Sequence, residues 1–215
     1  LLQNAFCNQV HEHLLYCSLT ALEYLLKRHG LMIFDVLLND INGGSFRTYI
    51  CREGERKVQD SVLTLREQEQ QLGLDKKEIY EQFAKRIKII ADKIHDFIEQ
   101  KVVQEGKTVY TLAASTRGNC LLQYCRLDNR LVRGAMERNS EKFGKVIAST
   151  GIPIVSEEEA RKENPDYIFV LPWFFAQGFD SQIIKREKIY LNNGGTFIIP
   201  LPNPALITKD KIFNL

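Results

Sequence analysis

The chain has 215 residues, of which 44% are apolar and 26% charged, with a net charge of +2. This length supports a sizeable buried core, and the small charge gives no electrostatic argument for binding nucleic acid or an anionic membrane. No apolar run reaches the roughly 20 residues that a membrane-spanning helix needs. The five cysteines include no C-x-x-C pair, which indicates reduced, mostly structural thiols of a cytoplasmic protein.

Residues 1–54 mix helix and strand. A helical face is predicted by four leucines at helical spacing, Leu19, Leu22, Leu25 and Leu26. Ser18 or Thr20 would cap this helix and Gly30 would end it. The stretch "MIFDVLLNDINGGSFRTYIC" then predicts two strands joined at residues 42–45. Because the chain enters this pattern without a starting methionine, we expect a fragment whose upstream part is missing.

Residues 55–106 are rich in charge and predict a linking helical segment. Its main apolar face follows steps of three and four and comprises Phe83, Ile87, Ile90, Ile94 and Ile98. Residues 107–215 alternate apolar strands with helices, which predicts an α/β, doubly wound and mainly parallel sheet.

The strand-turn-helix stretch "AASTRGNCLL" is the first candidate site. Ser115, Gly118 and Asn119 stand where a helix begins after a strand, a position that favours phosphate oxygens, and Arg117 could add a charge-assisted contact. The dinucleotide pattern G-x-G-x-x-G is incomplete, so a plain turn with a polar rim is an equal alternative. Glu137 ends the next strand, where a ribose-binding acid would lie.

The second candidate is "NDINGGSFR". Gly43, Gly44 and Ser45 can simply form a hairpin turn. The alternative is a glycine-lined wall where the backbone approaches a ligand, with Asn42 and Arg47 as polar contacts.

The third candidate is the triplet His11-Glu12-His13. A zinc site would need a further protein ligand, and no H-E-x-x-H helix is present. The triplet is therefore either a solvated or structural segment, or an acid/base pair in which a histidine beside a carboxylate removes a proton next to a carbonyl.

Three stretches, in order, resemble one known family. "HEHLLYCSLTALEYLLKRHGLMIFDVLLNDINGGSFR" is similar to the H-E-H-L-x-Y-Y-S-L … L-x-x-H-G-L-x-x-x-D-V … N-G-G-S-x-R run of sugar C-methyltransferases. "AASTRGNCLLQYC" resembles their G-A-S-x-K-G-N-T-L-L-N-Y-C, and "GIPIVSEEEARKENPDYIFVLPWFF … GGTFIIPLPNPALI" resembles their closing I-P-I-x-S … P-D-Y-x-x-x-L-P-W … G-G-x-F-I-x-P-x-P. The resemblance covers nearly the whole chain in the same order and is therefore specific.

The resemblance implies methyl transfer from S-adenosylmethionine to a ring carbon beside the ketone of a nucleotide-linked 4-keto deoxysugar. It also implies an upstream zinc segment, a donor-binding domain that would end with residues 1–54, and a C-terminal Rossmann-like domain, residues 107–215, that helps hold a nucleotide diphosphate sugar. We expect zinc only upstream, and no donor pocket here. The fragment alone is expected to be inactive without its missing N-terminal domain. Neither nucleic acid nor a membrane is an expected partner.

Carried over residue by residue, the family's Glu-His pair falls on Glu12 and His13. His13 would be the base that removes the proton beside the ketone, and Glu12 would orient it. The substrate-binding motifs fall on Gly43, Gly44, Ser45 and Arg47, and on Ser115, Arg117, Gly118 and Asn119. Some of these are expected to face the nucleotide diphosphate.

The chain departs from the family pattern at several positions. Val10 replaces a tyrosine and so lacks a hydroxyl that could bind the sugar or the enolate. Cys17 replaces a second tyrosine, Ala113 replaces a glycine, and Arg117 replaces a lysine with the charge kept.

Two functions from different classes follow. The leading one is the C-terminal, substrate-holding region of a sugar C-methyltransferase, favoured by the retained Glu12 and His13. The alternative is a non-catalytic Rossmann-like module that binds a nucleotide sugar or a partner domain, favoured by Val10 and the expected absence of the donor domain. A His-x-His metallohydrolase is a third possibility that would require another ligand.

Overall fold

The computed structural model describes all residues from 1 to 215, and its internal contacts divide them into two compact units. The hairpin unit comprises residues 11–84, and the sheet unit comprises residues 1–10 together with 85–215. These boundaries differ from the predicted ones at 54 and 106. The predicted three-part division therefore stays a prediction about the whole protein.

The hairpin unit is built around two antiparallel strands. Its elements are α1 (Leu19–Lys27), β1 (Leu31–Asn39), β2 (Ser45–Arg52), α2 (Asp60–Leu72) and the start of α3 (Lys77–Glu99). The Ser18 hydroxyl accepts a hydrogen bond from the Ala21 N–H at 3.1 Å, and Gly30 has φ +68° just after the helix. The predicted helix, its cap, its stop and the strand pair are confirmed.

The hairpin unit has a small core. Four residues are fully buried and five more pack against them: Leu19, Ile33, Val36 and Val62, with Leu22, Leu26, Phe46, Val58 and Leu65. Leu25 is 41% exposed, so its predicted place on the apolar face is wrong. The reason is geometric, because successive residues of an α-helix differ by about 100° and Leu25 lies that far from Leu26.

Helix α3 is amphipathic as predicted. All five residues of its predicted face, Phe83, Ile87, Ile90, Ile94 and Ile98, are buried. A π-helical turn continues the helix over Gln100–Gln104, and Gly106 with φ +64° ends the segment.

The sheet unit contains a seven-stranded sheet. Its strands are β3 (Val109–Leu112), β4 (Gly134–Glu137), β5 (Ile154–Ser156), β6 (Tyr167–Val170), β7 (Thr196–Ile199), β8 (Ala205–Ile207) and β9 (Ile212–Asn214). Its later helices are α4 (Thr116–Tyr124), α5 (Glu157–Lys162), α6 (Gln182–Arg186) and α7 (Lys188–Asn192). The spatial order is β5-β4-β3-β6-β7-β8-β9, with β5 to β7 parallel.

The predicted α/β, Rossmann-like and mainly parallel sheet is therefore confirmed. Strands β8 and β9 are antiparallel additions that the sequence did not predict. Each has only three residues, which is too short for a readable two-residue period. From β3 the chain passes through β4 to the sheet edge at β5. It then returns to the other side of β3 with β6 and continues outward through β7, so the strand order reverses between β3 and β6. In such sheets ligands bind beyond the carboxyl ends of the strands near this point.

Residues 1–10 belong to the sheet unit rather than to the segment that follows them. The rings of Phe6 and Tyr124 lie 4.8 Å apart, and Trp173 Nε1 donates a hydrogen bond to Cys7 Sγ at 3.4 Å. All five cysteines are free thiols. None of the helices combines the length and the apolar character that a membrane-spanning helix requires.

Candidate functional site

The turn between β3 and α4 lies at the carboxyl end of a central strand. Ser115 is the N-cap of α4, and its hydroxyl accepts the Gly118 N–H at 3.1 Å. A Cβ added to Gly118 would lie 2.6 Å from Leu171 Cδ1 and 3.0 Å from Leu171 Cβ. Two of the predicted phosphate-binding residues thus have structural roles, one in capping the helix and one in letting it approach the segment after β6.

Ala113 explains why the family pattern has glycine at this position. Its φ is +71°, a left-handed conformation, and its N–H donates to the Met136 carbonyl at 2.9 Å. An alanine there costs about 1 kcal/mol or more relative to its usual backbone conformation. The turn keeps its shape despite the substitution, so the residue holds strain at the edge of the candidate site.

Arg117 and Asn119 complete the turn. Arg117 is half-buried, and the Asn119 side-chain oxygen accepts a hydrogen bond from Gln123 Nε2 at 3.0 Å. Burial raises the pKa of the Cys7 thiol, while the hydrogen bond from Trp173 and the charge of Arg117 act in the opposite direction. The guanidinium of Arg117 is therefore close enough to act on Cys7, and its contact with a phosphate at the start of α4 stays a prediction.

Glu137 ends β4, where a ribose-binding acid was considered. Its Oε1 accepts the backbone N–H groups of Arg138 at 2.8 Å and Asn139 at 3.1 Å, and its Oε2 accepts Lys142 Nζ at 2.9 Å. Lys142 also donates to the Ala114 carbonyl at 2.9 Å. Burial alone would raise the pKa of Glu137, but these hydrogen bonds outweigh it and leave the pKa below its ordinary value. Glu137 is therefore ionised and ties β4 to the turn after β3.

The glycines of the hairpin tip satisfy a backbone requirement. Gly43 has φ +84°, and Gly44 has φ +114° with no atom within 4 Å of an added Cβ. The Ser45 hydroxyl donates to the Ile41 carbonyl at 2.8 Å, and Arg47 is exposed on β2. The turn alone accounts for both glycines, so their contact with a ligand stays a prediction.

The His11-Glu12-His13 triplet is exposed in an irregular segment before α1. The Glu12 carboxylate lies 3.7 Å from His11 Nδ1, and the His13 ring centroid lies 6.3 Å from that of Tyr16. Glu12 thus lies beside His11, and its predicted orienting role toward His13 stays a prediction. No group of three or more His, Cys, Asp or Glu side chains is placed to hold a metal ion.

Sequence analysis missed a residue that fixes the segment next to this triplet. The buried carboxylate of Glu69, on α2, accepts hydrogen bonds from the Leu19 N–H, from the Thr20 N–H at 2.9 Å and from the Thr20 hydroxyl at 2.7 Å. A carboxylate at a helix N-terminus is favoured by the unpaired N–H groups and by the helix dipole. The only sequence signal is an acidic residue on the buried face of α2.

The structure places the predicted site residues in two groups. Glu12, His13 and the hairpin tip belong to the hairpin unit, whereas the β3–α4 turn belongs to the sheet unit.

The family model described as C-methyltransferase C-terminal domain matches residues 40–202. This chain belongs to that family. The match includes the hairpin tip and the β3–α4 turn and begins after the H-E-H segment. The predicted resemblance to C-methyltransferases is thereby confirmed.

A curated relative extends the similarity to nearly the whole chain. The C-methyltransferase NovU of Streptomyces niveus is 34% identical over 212 residues, which cover 98% of this chain and 49% of the relative. The chain therefore spans about half the length of the curated relative that it matches. Unlike the family match, this alignment is long enough to include the H-E-H segment at residues 11–13.

Proposed function

We propose that this chain is the substrate-holding region of an S-adenosylmethionine-dependent C-methyltransferase that acts on a nucleotide-linked 4-keto deoxysugar. The observation that carries the proposal is the exposed Glu12–His13 pair ahead of α1 in a member of this family. Exposure leaves both side chains accessible to a substrate. The start of α1 is fixed by Ser18 and Glu69, which limits the movement of the segment at its C-terminal end.

In the proposed reaction His13 removes a proton from the ring carbon beside the ketone. The electrons of the broken C–H bond move into an enolate, whose carbon would attack the methyl group of the sulfonium donor as the S–CH₃ bond breaks and S-adenosylhomocysteine leaves. Glu12 would stabilise the protonated imidazole and hold its orientation, which requires it to turn from His11 toward His13. Ser115, Arg117 and Asn119 would contact the nucleotide diphosphate, with Gly118 shaping the turn. Substrate contacts of the hairpin tip and Arg47 stay a separate prediction from the resemblance.

The methyl donor does not fit the residues of this chain. The turn after β3 has Ala113 and Ser115 where a donor-binding turn would have glycines, and Leu171 fills the space beside Gly118. S-adenosylmethionine would supply an electrophilic methyl group when bound elsewhere in the protein, and zinc has no proposed place in this chain. The free thiols agree with the proposed cytoplasmic location, which cell fractionation would test.

Calorimetric titration of the chain with thymidine diphosphate tests the substrate-holding half of the proposal. We expect binding that Arg117→Ala weakens about tenfold, as expected for loss of one charge-assisted hydrogen bond. Arg133→Ala is the matched control, because Arg133 precedes β4 at the opposite edge of the sheet and pairs with Glu163 at 3.0 Å. Equal weakening by both variants would contradict the assignment, and so would binding of S-adenosylmethionine alone.

Exchange of solvent deuterium into a nucleotide-linked 4-keto sugar tests the base. This step needs no methyl donor, so the chain can be used as it is. We expect exchange that His13→Ala abolishes and that His29→Ala, at an exposed histidine after α1, leaves unchanged. Exchange that persists in His13→Ala would remove His13 from the mechanism.

A non-catalytic nucleotide-sugar module is the second candidate. The observation that favours it is Val10, which is buried and carries no hydroxyl where the family has tyrosine. Thymidine diphosphate binding without any deuterium exchange, also in the whole protein, would select this function.

A further inference from the structure

Helix α2 holds the first half of α1 at two points. The Glu69 carboxylate, on a residue that is only 7% exposed, accepts the Leu19 and Thr20 N–H groups and the Thr20 hydroxyl. One turn earlier on α2, Arg66 donates to the two carboxylate oxygens of Glu23 at 2.9 and 2.7 Å. These contacts are also about one turn apart on α1, so together they fix both the position and the direction of its first half.

A short link leads from this fixed point to the proposed base. Ser18 caps α1 and is therefore held directly before Leu19. Tyr16 lies two residues further upstream, and its ring meets the His13 ring at a centroid distance of 6.3 Å and an interplanar angle of 65°. Edge-to-face ring pairs at such distances attract each other. Both side chains are exposed, so the backbone that carries them has to set their separation.

We propose that Glu69 is a positioning residue for His13 and acts on it through the start of α1 and the ring of Tyr16. This inference rests on the proposed function, because it takes His13 as the base. Glu69 holds the first residues of α1, the two residues before the helix place Tyr16, and the Tyr16 ring limits the orientations of the imidazole. Without this restraint, fewer imidazole orientations would bring a ring nitrogen within hydrogen-bond reach of the proton that it removes.

A purely structural role for Glu69 makes a different prediction. Loss of the carboxylate would then lower the fraction of folded chain, and every molecule that remains folded would keep its exchange rate. A positioning role lowers the rate of the folded molecules themselves. It also couples Glu69 to Tyr16, because two substitutions that break the same link cannot act independently.

A double-mutant cycle on solvent-deuterium exchange into a nucleotide-linked 4-keto sugar tests the proposal. Each rate is divided by the folded fraction that circular dichroism gives for the same sample. Glu69→Gln and Tyr16→Ala should each lower the rate about tenfold, and the double variant should be slowed about tenfold as well, not a hundredfold. Tyr16→Phe, which keeps the ring, should restore most of the rate lost in Tyr16→Ala. Glu67→Gln, at an exposed position of α2, is the matched control and should leave the rate unchanged.

Nuclear magnetic resonance relaxation of the His13 ring provides a readout that needs no activity. Glu69→Gln and Tyr16→Ala should increase the fast motion of this ring in the folded chain, whereas Glu67→Gln should not. Rate losses that multiply in the double variant, an unchanged rate per folded molecule, or unchanged ring motion in Glu69→Gln would each overturn the proposal. Absence of exchange in the unmodified chain would contradict the proposed function instead, and relaxation would still decide whether Glu69 restrains the His13 ring.

Discussion

In the sheet unit the predicted site residues help to build the fold, whereas in the hairpin unit the predicted base and its helper do not. Ser115 caps α4 and Gly118 lies against Leu171. Glu12 and His13 lie outside every helix and strand, in an exposed segment. A substitution in the first group therefore changes stability and binding together. A substitution in the second group should change chemistry without changing stability.

The apolar core of the sheet unit is also larger than that of the hairpin unit. The sheet unit buries large side chains completely, among them Phe169, Trp173 and Phe197, while the core of the hairpin unit has four fully buried residues. The hairpin unit adds a buried polar contact, in which Glu69 fixes the start of α1 beside the apolar packing of Leu19. The two units thus depend on different physical interactions, and substitutions can separate them.

Phe169→Ala should have the largest effect. Phe169 is fully buried on β6, in the middle of the parallel sheet, and removing a buried phenylalanine ring costs about 3–5 kcal/mol of unfolding free energy. Urea unfolding followed by circular dichroism would measure the loss. Phe213→Ala, at a half-exposed position on β9, should cost less than about 0.5 kcal/mol. Similar losses for both variants would contradict the packing of the sheet.

Glu69→Gln should cost about 1.5–3 kcal/mol, because hydrogen bonds to a charged group are the stronger ones and the helix dipole favours the carboxylate. The loss should appear in the hairpin unit, and amide hydrogen exchange at Leu19 and Thr20 should increase first. Glu67→Gln, on the exposed side of α2, is the control and should leave exchange at α1 unchanged. Unaltered exchange in Glu69→Gln would show that Ser18 alone fixes the helix.

The sequence predicted those parts of the fold that leave a local pattern. The face of α3 repeats over enough residues to be recognised, the strand pair has turn residues between its strands, and the parallel strands are apolar runs that alternate with helices. The short strands β8 and β9 were not recognised, and Leu25 was misplaced because it lies about 100° from Leu26 around the helix axis. The place of residues 1–10 in the sheet unit depends on contacts that are distant in sequence, such as Trp173 with Cys7.

The candidate site was predicted in part, for a related reason. A turn after a strand can be recognised from Ser115 and Gly118, because local backbone geometry determines both residues. The contact of Glu69 with α1 and the pairing of Glu157 with two arginines join residues that no local pattern connects. The structure was therefore needed to find the residues that position the candidate site.

Gly118→Ala should cost about 1–3 kcal/mol, the usual range for overpacking. The added methyl group would meet Leu171 at both Cβ and Cδ1, so a rotation of the leucine side chain cannot relieve the clash completely. The same variant should weaken thymidine diphosphate binding, since α4 would move away from the segment after β6. Thr116→Ala, at the exposed first residue of α4, controls for a general effect on the helix. If Gly118→Ala lowers the unfolding free energy by less than about 1 kcal/mol, α4 has room to move away from Leu171.

Low pH should destabilise the sheet unit, because it protonates the Glu157 carboxylate. The hydrogen bond from Arg138, assisted by Arg161, holds the pKa of this carboxyl below its ordinary value of 4.5. The resulting stabilisation is complete above that ordinary value and is lost as the pH falls through the lowered folded pKa. Glu157→Gln should therefore destabilise the chain most near neutral pH, and the difference from the unmodified chain should shrink below pH 4.5. Glu158→Gln, at a largely exposed neighbour, should show no such dependence, and a pH-independent deficit in Glu157→Gln would exclude the ion pair as its cause.

Ala113→Gly should have the smallest effect on the unfolding free energy, and it should stabilise the chain. The positive φ of Ala113 costs an alanine about 1 kcal/mol or more, whereas glycine adopts it without steric penalty but loses more conformational entropy on folding. The expected net gain is about 0.5–1 kcal/mol in urea unfolding. Ala114→Gly, at the next residue, which is buried and has no positive φ, should instead lower stability. A loss in both variants would mean that the turn after β3 relaxes to avoid strain, and a gain confined to Ala113→Gly would show that the sheet unit keeps strain at the edge of its candidate site.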